Sequence, residues 1–249
     1  QAAGLAFLQS LGMREVEVIR SPKVTLILTG NELIKPPEPI TRGKIYESNS
    51  MLLQTALQQQ GIETQLIFFT EDSLEATINT LENAFLSADV VLVSGGISVG
   101  DYDFVKQALA SLKVKQIFYK VRQRPGKPLF FGKKNSKLVF ALPGNPASTL
   151  SCFYVYVLPL LARLKGSKSN GLLRVALTIE HDYSSQEPRA LFLKAYAHNQ
   201  TVSILDRQHS SMLISFAKAN ALVYIPEHGI NVKKGATVET LLLPNTILT

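Results

Sequence analysis

Stretches able to do chemistry recur along this chain, several of them just after runs of apolar, β-branched residues. Ser94-Gly95-Gly96-Ile97-Ser98-Val99-Gly100 runs into Asp101 and Asp103. Adjacent glycines let a backbone approach a ligand closely, and the amides that follow can turn toward an anion. Glycine is ordinary at any strand-to-helix turn, but two glycines, a serine and a third glycine ahead of two acids exceed what turning needs. Carboxylates stand at matching places: Glu32 after residues 24–29, Asp72 after 65–69, and Asp101 and Asp103 after 89–94. Gathered at one edge, such oxygens suit Mg²⁺ bridging to phosphate or another oxyanion. The plainer reading is that Asp72 and Asp103 cap the helices that begin beside them.

Two Pro-Gly motifs supply the opposite charge. Arg124-Pro125-Gly126-Lys127-Pro128 is a stiff turn that carries Lys127. Pro143-Gly144-Asn145-Pro146-Ala147-Ser148 opens a long apolar helix, with free amides and Ser148 at its N-terminus. The first motif lies in an acid-free run with Lys113, Lys115, Lys120, Arg122, Lys133, Lys134 and Lys137, within a chain of net charge +7. Such a strip suits an anionic ligand, against the blander reading of a solvated basic face. Aromatic residues interleave it sparsely, so nucleic acid is the less expected ligand.

Gly96, Ser98 and Gly100 also match the Gly-x-Ser-x-Gly elbow of α/β hydrolases, which would make Ser98 a nucleophile. That alternative needs a downstream histidine, and His181, His198, His209 and His228 all fall in the last third of the chain. The single cysteine, Cys152, sits among apolar residues and is expected to be a buried small hydrophobe; it excludes an intramolecular disulfide framework and any multi-cysteine metal site.

These residues need a scaffold that brings distant strand ends together. Runs at 24–29, 65–69 and 89–94 alternate with helical periods at 49–60, 73–85 and 104–112. Parallel strands require such crossovers, and strands apolar throughout are covered on both faces. Further strands are expected at 115–122, 129–131 and 138–141, then an apolar helix at 147–164. Beyond residue 168 only short strand-like runs appear, at 173–179, 190–197, 201–205, 221–225 and 238–243. The fold class expected is therefore α/β, a three-layer, mostly parallel sheet over residues 1–168, followed by a small all-β, barrel-like domain over 169–249. With 249 residues and 46% hydrophobic content the chain can close sizeable cores. The run 150–164 is shorter than a membrane-spanning helix needs. The start of the chain carries no basic signal-peptide region and no Met.

TGNEL, GKIYESNS, VVLVSGGISVGDYDFVK, RPGKP and LPGNPAS, in this order and spacing, resemble the molybdopterin molybdenumtransferase family, the MoeA-like group related to the gephyrin E domain. The likeness spans nearly the whole chain. It implies a molybdopterin-binding α/β domain followed by a β domain, and an enzyme of molybdenum cofactor biosynthesis. Such enzymes insert molybdate into adenylylated molybdopterin and release AMP in a divalent-cation-dependent step. By motif position, Glu32, Asp72, Asp103 and Lys120 are implied to be catalytic, with the three acids on the Mg²⁺ side. Lys120, Arg124 and Lys127 are implied to face phosphate or molybdate. Thr29, Gly30, Ser94, Gly95, Gly96, Ser98, Gly100, Asp101, Pro125, Gly126, Pro143, Gly144, Asn145, Pro146 and Ser148 are implied to bind the pterin substrate.

The sequence departs from the family at Asn31, where Asp is usual, and at Arg124, where Lys is frequent. Family members generally carry two further N-terminal domains, so this chain is expected to be a fragment or truncated member. The resemblance further implies a homodimer of the full-length protein, a cytoplasmic location and no membrane partner. A binding module that holds pterin nucleotide or a protein partner without turnover is the alternative to the enzyme.

Overall fold

The computed structural model describes residues 2–97, 103–168, 171–228 and 231–248. An exposed helix, α1 (Ala2–Ser10), precedes β1 (Val24–Thr29), every residue of which is buried. A strand sends alternate side chains to opposite faces. Val24, Leu26 and Leu28 accordingly enter one core while Ile27 enters another, which is why VTLILT carries apolar residues on both faces. Two-residue strands β2 (Leu33–Ile34) and β3 (Ile45–Tyr46) pair beyond β1. Then come α2 (Asn49–Gln58), β4 (Thr64–Thr70), α3 (Leu74–Ser87), β5 (Val90–Ser94) and α4 (Phe104–Ser111). After them run β6 (Lys115–Tyr119), β7 (Gln123–Arg124), β8 (Phe130–Lys134) and β9 (Lys137–Leu142).

One six-stranded sheet has the order β4-β1-β5-β9-β8-β6. Its first four strands are parallel, and β8 and β6 extend it antiparallel. Leu53 and Leu57 of α2 pack on one face, Leu81 of α3 and Leu109 of α4 on the other. These three layers are the α/β architecture expected.

The long apolar helix runs from Pro146 to Leu164 as α5 (Pro146–Cys152), a π-helical turn (Phe153–Val157) and α6 (Leu158–Leu164). Pro159 has no N–H to bond back to the carbonyl of Val155. The widening to a π turn lies just ahead of it, where Leu158 N donates to Phe153 O. By length and composition this helix could cross a membrane, yet Cys152, Phe153, Val157 and Leu161 are fully buried within the protein. It is a core helix.

The C-terminal strands are β10 (Leu173–Ile179), β11 (Tyr183–Ser184), β12 (Ala190–His198), β13 (Thr201–Ile204), β14 (Ala221–Ile225), β15 (Asn231–Val232) and β16 (Thr237–Leu242), with α7 (Leu213–Lys218) after β13. The order β13-β10-β16-β14-β12 closes through a β12–β13 pairing into a five-stranded barrel. Leu191, Leu193, Ala195, Val223 and Leu242 fill its interior. Their neighbours Phe192, Leu222, Leu241 and Leu243 point outward and join Phe153 and Tyr154 in the core around the long helix. Alternation with both faces apolar thus docks the barrel on the α/β layer.

The structure adds α1 and the two-residue strands β2, β3, β11 and β15 to the expected elements, and differs from them in two further details. No helix is expected after residue 168, but α7 forms; its six residues are too few for a helical period to register. The strand expected at 115–122 ends at Tyr119, because Lys120 turns the chain with φ +62°. The chain then forms β7, which pairs with β12. That pairing crosses the expected division between residues 1–168 and 169–249.

Candidate functional site

The parallel strands end together, and the loops after them meet at the edge where open α/β sheets have their ligand crevice. Thr29 closes β1 and its Oγ1 donates to Asp72 Oδ1, while Asn31 N donates to Asp72 Oδ2 at 3.1 Å. Asn31 Oδ1 in return accepts from Asp72 N at 3.2 Å. Asp72 therefore ties the loop after β4 to the loop after β1. The cap of α3 is its neighbour, Ser73, whose hydroxyl accepts from Ala76 N. Gly95 and Gly96 follow β5 with φ +94° and +60°. A Cβ on Gly95 would overlap the Thr29 carbonyl oxygen, and one on Gly96 would lie 2.6 Å from Val105 Cγ2 and 2.8 Å from Thr29 Cγ2. Both glycines are required for β1 and β5 to close on each other. Asn49, at the start of α2, reaches across with Nδ2, donating to Ser94 Oγ at 2.9 Å and to Gly144 O at 2.8 Å. Its Oδ1 is buried without a hydrogen-bond partner. One buried amide thus joins a helix, the end of β5 and the second Pro-Gly turn.

That turn has a second face. Pro143, Asn145 and Ser148 line a cavity of about 260 Å³ together with Arg124, Pro125, Gly126 and Lys127, and with Arg189, Gln208, His209 and Ser210 from the barrel. Several bonds hold the two sides in register. Ala147 N donates to Ser210 O at 3.0 Å, and Asn145 Nδ2 donates to Ser210 Oγ at 3.0 Å. Gln123 Nε2 donates to Pro125 O at 2.9 Å, and the Tyr156 hydroxyl of the π turn donates to Gln123 Oε1. Gly126 packs so closely on Cys152 Sγ that no side chain fits there. The thiol is fully buried, and burial pushes its pKa up, so Cys152 packs as a small hydrophobe. On the barrel side, the buried Lys194 ammonium donates to the carbonyls of Arg207, His209 and Met212 at 3.0, 3.2 and 3.3 Å. Burial lowers the pKa of Lys194.

The cavity is basic. Arg124 and Arg189 share one carboxylate: Arg189 Nε and Nη2 reach Glu187 at 2.7 and 2.6 Å, and Arg124 Nη1 reaches it at 3.4 Å. Those hydrogen bonds, from Arg189 first, hold Glu187 down at about 2.

Asp103 caps α4, accepting from Lys106 N at 3.0 Å, and takes a second bond from the Tyr119 hydroxyl at 3.1 Å. Burial and the neighbouring Asp103 charge push the Tyr119 phenol up to about 12. Lys106 and Lys120 stand over that ring, 4.6 and 5.0 Å from its centre. Glu32 is exposed and folds back on Gly30, whose φ is +152°. Among the described residues no three His, Cys, Asp or Glu side chains come close enough to hold a metal ion. Glu32, Asp72 and Asp103 therefore do not form the three-carboxylate Mg²⁺ set that their motif positions imply. The oxygens of Asp72 and Asp103 instead bind neighbouring loops and a helix end.

The structure thus sorts the expected residues into three places. Thr29, Gly30, Asp72, Ser94, Gly95, Gly96 and Gly144 meet at the strand ends. Arg124, Pro125, Gly126, Lys127, Pro143, Asn145 and Ser148 meet in the basic cavity, beside which Pro146 begins α5. Asp103 and Lys120 gather around Tyr119. Ser98, Gly100 and Asp101 lie outside the described residues. Sequence reasoning missed Arg189, Gln208 and Ser210, and named His209 only for the hydrolase alternative; the polar run 206–211 and the lone Arg189 carry no motif. Of Ser48 and Asn49, the two residues placed to cap α2, Ser48 takes the cap position without a side-chain bond, and Asn49 is the first residue of the helix. Four other lysines of the basic strip divide off: Lys113, Lys115, Lys133 and Lys134 line a separate groove with Glu82 and Asn135.

Residues 25–163 match a family described as a probable molybdopterin binding domain, and residues 176–243 match the MoeA C-terminal region, domain IV. A molybdopterin molybdenumtransferase of Nostoc sp. is 34% identical over 98% of this chain, and one of Staphylococcus epidermidis 30% over 96%. The chain spans 58% of the length of each. Among solved structures, a molybdopterin biosynthesis MoeA protein from Pyrococcus horikoshii superposes with a TM-score of 0.82 at 30% identity, covering 97% of this chain and 59% of its own. A molybdenum cofactor biosynthesis protein from Pyrococcus furiosus gives 0.72 at 25% identity, covering 97% of this chain and 75% of its own. With residues 25–163 and 176–243 matched in this order, the chain belongs to the molybdopterin-binding family of MoeA type.

Proposed function

We propose that this chain is the substrate-binding and reacting part of a molybdopterin molybdenumtransferase, which takes adenylylated molybdopterin, hydrolyses the adenylate to release AMP, and inserts molybdate at the dithiolene. The observation that carries this reading is the basic cavity where both Pro-Gly turns meet Arg189 and Ser210, adjoining the strand-end crevice through Gly144. The crevice is the place for the pterin, because ligands of open α/β sheets sit at the carboxyl ends of parallel strands. The cavity, with Arg124, Lys127 and Arg189, is the place for the oxyanion. Guanidinium forks and an ammonium stabilise the charge that develops on phosphoryl and molybdate oxygens. Phosphoanhydride cleavage needs that neutralisation and an aligned substrate more than it needs a protein nucleophile.

The Mg²⁺ implied by the family does not fit a set of Glu32, Asp72 and Asp103 in this arrangement, and the chain's own cations carry the oxyanion in this reading. A cytoplasmic setting and a homodimer of the longer protein belong to the same proposal. A non-catalytic module that holds pterin nucleotide or a protein partner is the second reading, and the same basic cavity would serve it.

Equilibrium dialysis against molybdate tests the cavity. Saturable binding is expected, weakened about ten-fold in Arg189→Ala and Lys127→Ala, the scale of one charge-assisted bond. An absence of saturable molybdate binding removes the proposal. AMP release from adenylylated molybdopterin by the full-length parent then separates the readings: release that depends on molybdate supports the enzyme, and binding without release supports the module.

A further inference from the structure

The carboxylate of Glu187 sits against both arginines of the cavity without lining it. Glu187 Oε1 and Oε2 take the Nε and Nη2 donors of Arg189 at 2.7 and 2.6 Å, and Oε2 also faces Arg124 Nη1 at 3.4 Å. The Glu187 side chain is 12% exposed, against 30% for Arg189 and 53% for Arg124. The acid is therefore tucked behind the two cations, and the cations face outward. Its segment is fixed as well, since Glu187 N donates to Ser185 Oγ at 3.0 Å. A carboxylate on the Nε/Nη2 edge of an arginine occupies the same donors that a bidentate oxyanion would use. Held at about 2, Glu187 stays ionised through the neutral range.

We infer that Glu187 is a specificity-determining residue of this cavity, a resident counter-charge that sets which ionic charge of oxyanion the arginines hold best. The inference rests on the reading of the cavity as an oxyanion site. Three cations, Arg124, Lys127 and Arg189, stand against this one carboxylate, so these four side chains sum to two net positive charges. That matches a tetrahedral dianion. Repulsion between Glu187 and a bound anion grows in proportion to the anion's charge. Any contribution Glu187 makes to arginine geometry acts alike on anions of one shape. The two roles therefore separate in a charge series.

The experiment measures dissociation constants of the monoanion perrhenate, the isosteric dianion molybdate and the more highly charged pyrophosphate by calorimetry at fixed ionic strength. Wild type, Glu187→Gln and Glu187→Asp are compared. Removal of one negative charge at this range is expected to strengthen binding by about two- to three-fold per ligand charge in a partly solvated site. In Glu187→Gln the molybdate-to-perrhenate affinity ratio is thus expected to rise about two- to three-fold, and the pyrophosphate-to-molybdate ratio to rise as well. Glu187→Asp keeps the charge and is expected to keep the wild-type ratios even where all three anions bind less tightly. Unchanged ratios in Glu187→Gln, or equal changes in both variants, overturn the counter-charge role. If wild type binds none of the three saturably, the cavity reading itself has failed.

Discussion

At the level of single residues, Gly95 shows what the glycine pair is for. The atom its side chain would fill is occupied by the backbone of β1, and its φ of +94° is left-handed. Gly144 is a contrast within the same crevice: its nearest neighbour would be Gly95 Cα at 3.6 Å, an ordinary contact. Gly95→Ala is therefore expected to cost about 1–3 kcal/mol of folding stability, while Gly144→Ala leaves it nearly unchanged, as read from urea midpoints. Equal midpoints for the two variants would contradict the packing described. The sequence motif marked Gly95 and Gly96 as a place of close backbone approach. It could not reveal that the approaching backbone belongs to the neighbouring strand, because spacing along a chain carries no information on which atoms face a missing side chain. Arg189 was invisible for a similar reason: a lone arginine before an apolar strand has no pattern until folding brings it to Lys127.

Elements were easier to read than site residues. Period-2 and 3.6-residue apolar runs located β10 and β14 at their observed bounds and most other strands and helices within a residue or two. What stayed hidden was how a segment from the α/β part of the chain joins the barrel's sheet, as β7 does, because two residues hold no period. The segment between β13 and α7 is a comparable case, held by side-chain bonds. Its fastening is Lys194, whose ammonium satisfies three carbonyls, and Gln208, whose amide bonds Lys194 N and O in both directions. Lys194→Met keeps the length of the side chain and removes its donors. It is expected to cost about 1–3 kcal/mol through the orphaned carbonyls and to speed hydrogen exchange at Ala147, whose amide bonds Ser210 O. Wild-type exchange at Ala147 in that variant would show that the loop is held by other means.

Across the whole molecule, charge is placed differently at the two ends of the sheet. At the end away from the crevice, Arg20 grips Asp89 at the head of β5 through Nη1 at 2.5 Å and Nη2 at 2.9 Å, and Lys23 N adds a bond at 2.8 Å. The hydrogen bond from Arg20 is the largest cause that lowers Asp89 from its usual 3.8 to about 2. A carboxylate lowered by folding adds stability that is present above its unfolded value and lost as pH falls toward the folded one. Wild type is therefore expected to lose thermal stability between about pH 4 and pH 2 more steeply than Asp89→Asn. Parallel acid profiles for the two would show that the clasp from Arg20 adds nothing to folding.

One edge of β12 is shared, its first residues pairing with β7 and its last with β13. A rotation of the barrel would drag Arg124 along with Arg189, because Arg124 pairs with Leu191 on that ladder and Arg189 immediately precedes it. The backbones that carry the two guanidinium groups are thus joined by a hydrogen-bonded ribbon rather than by a hinge.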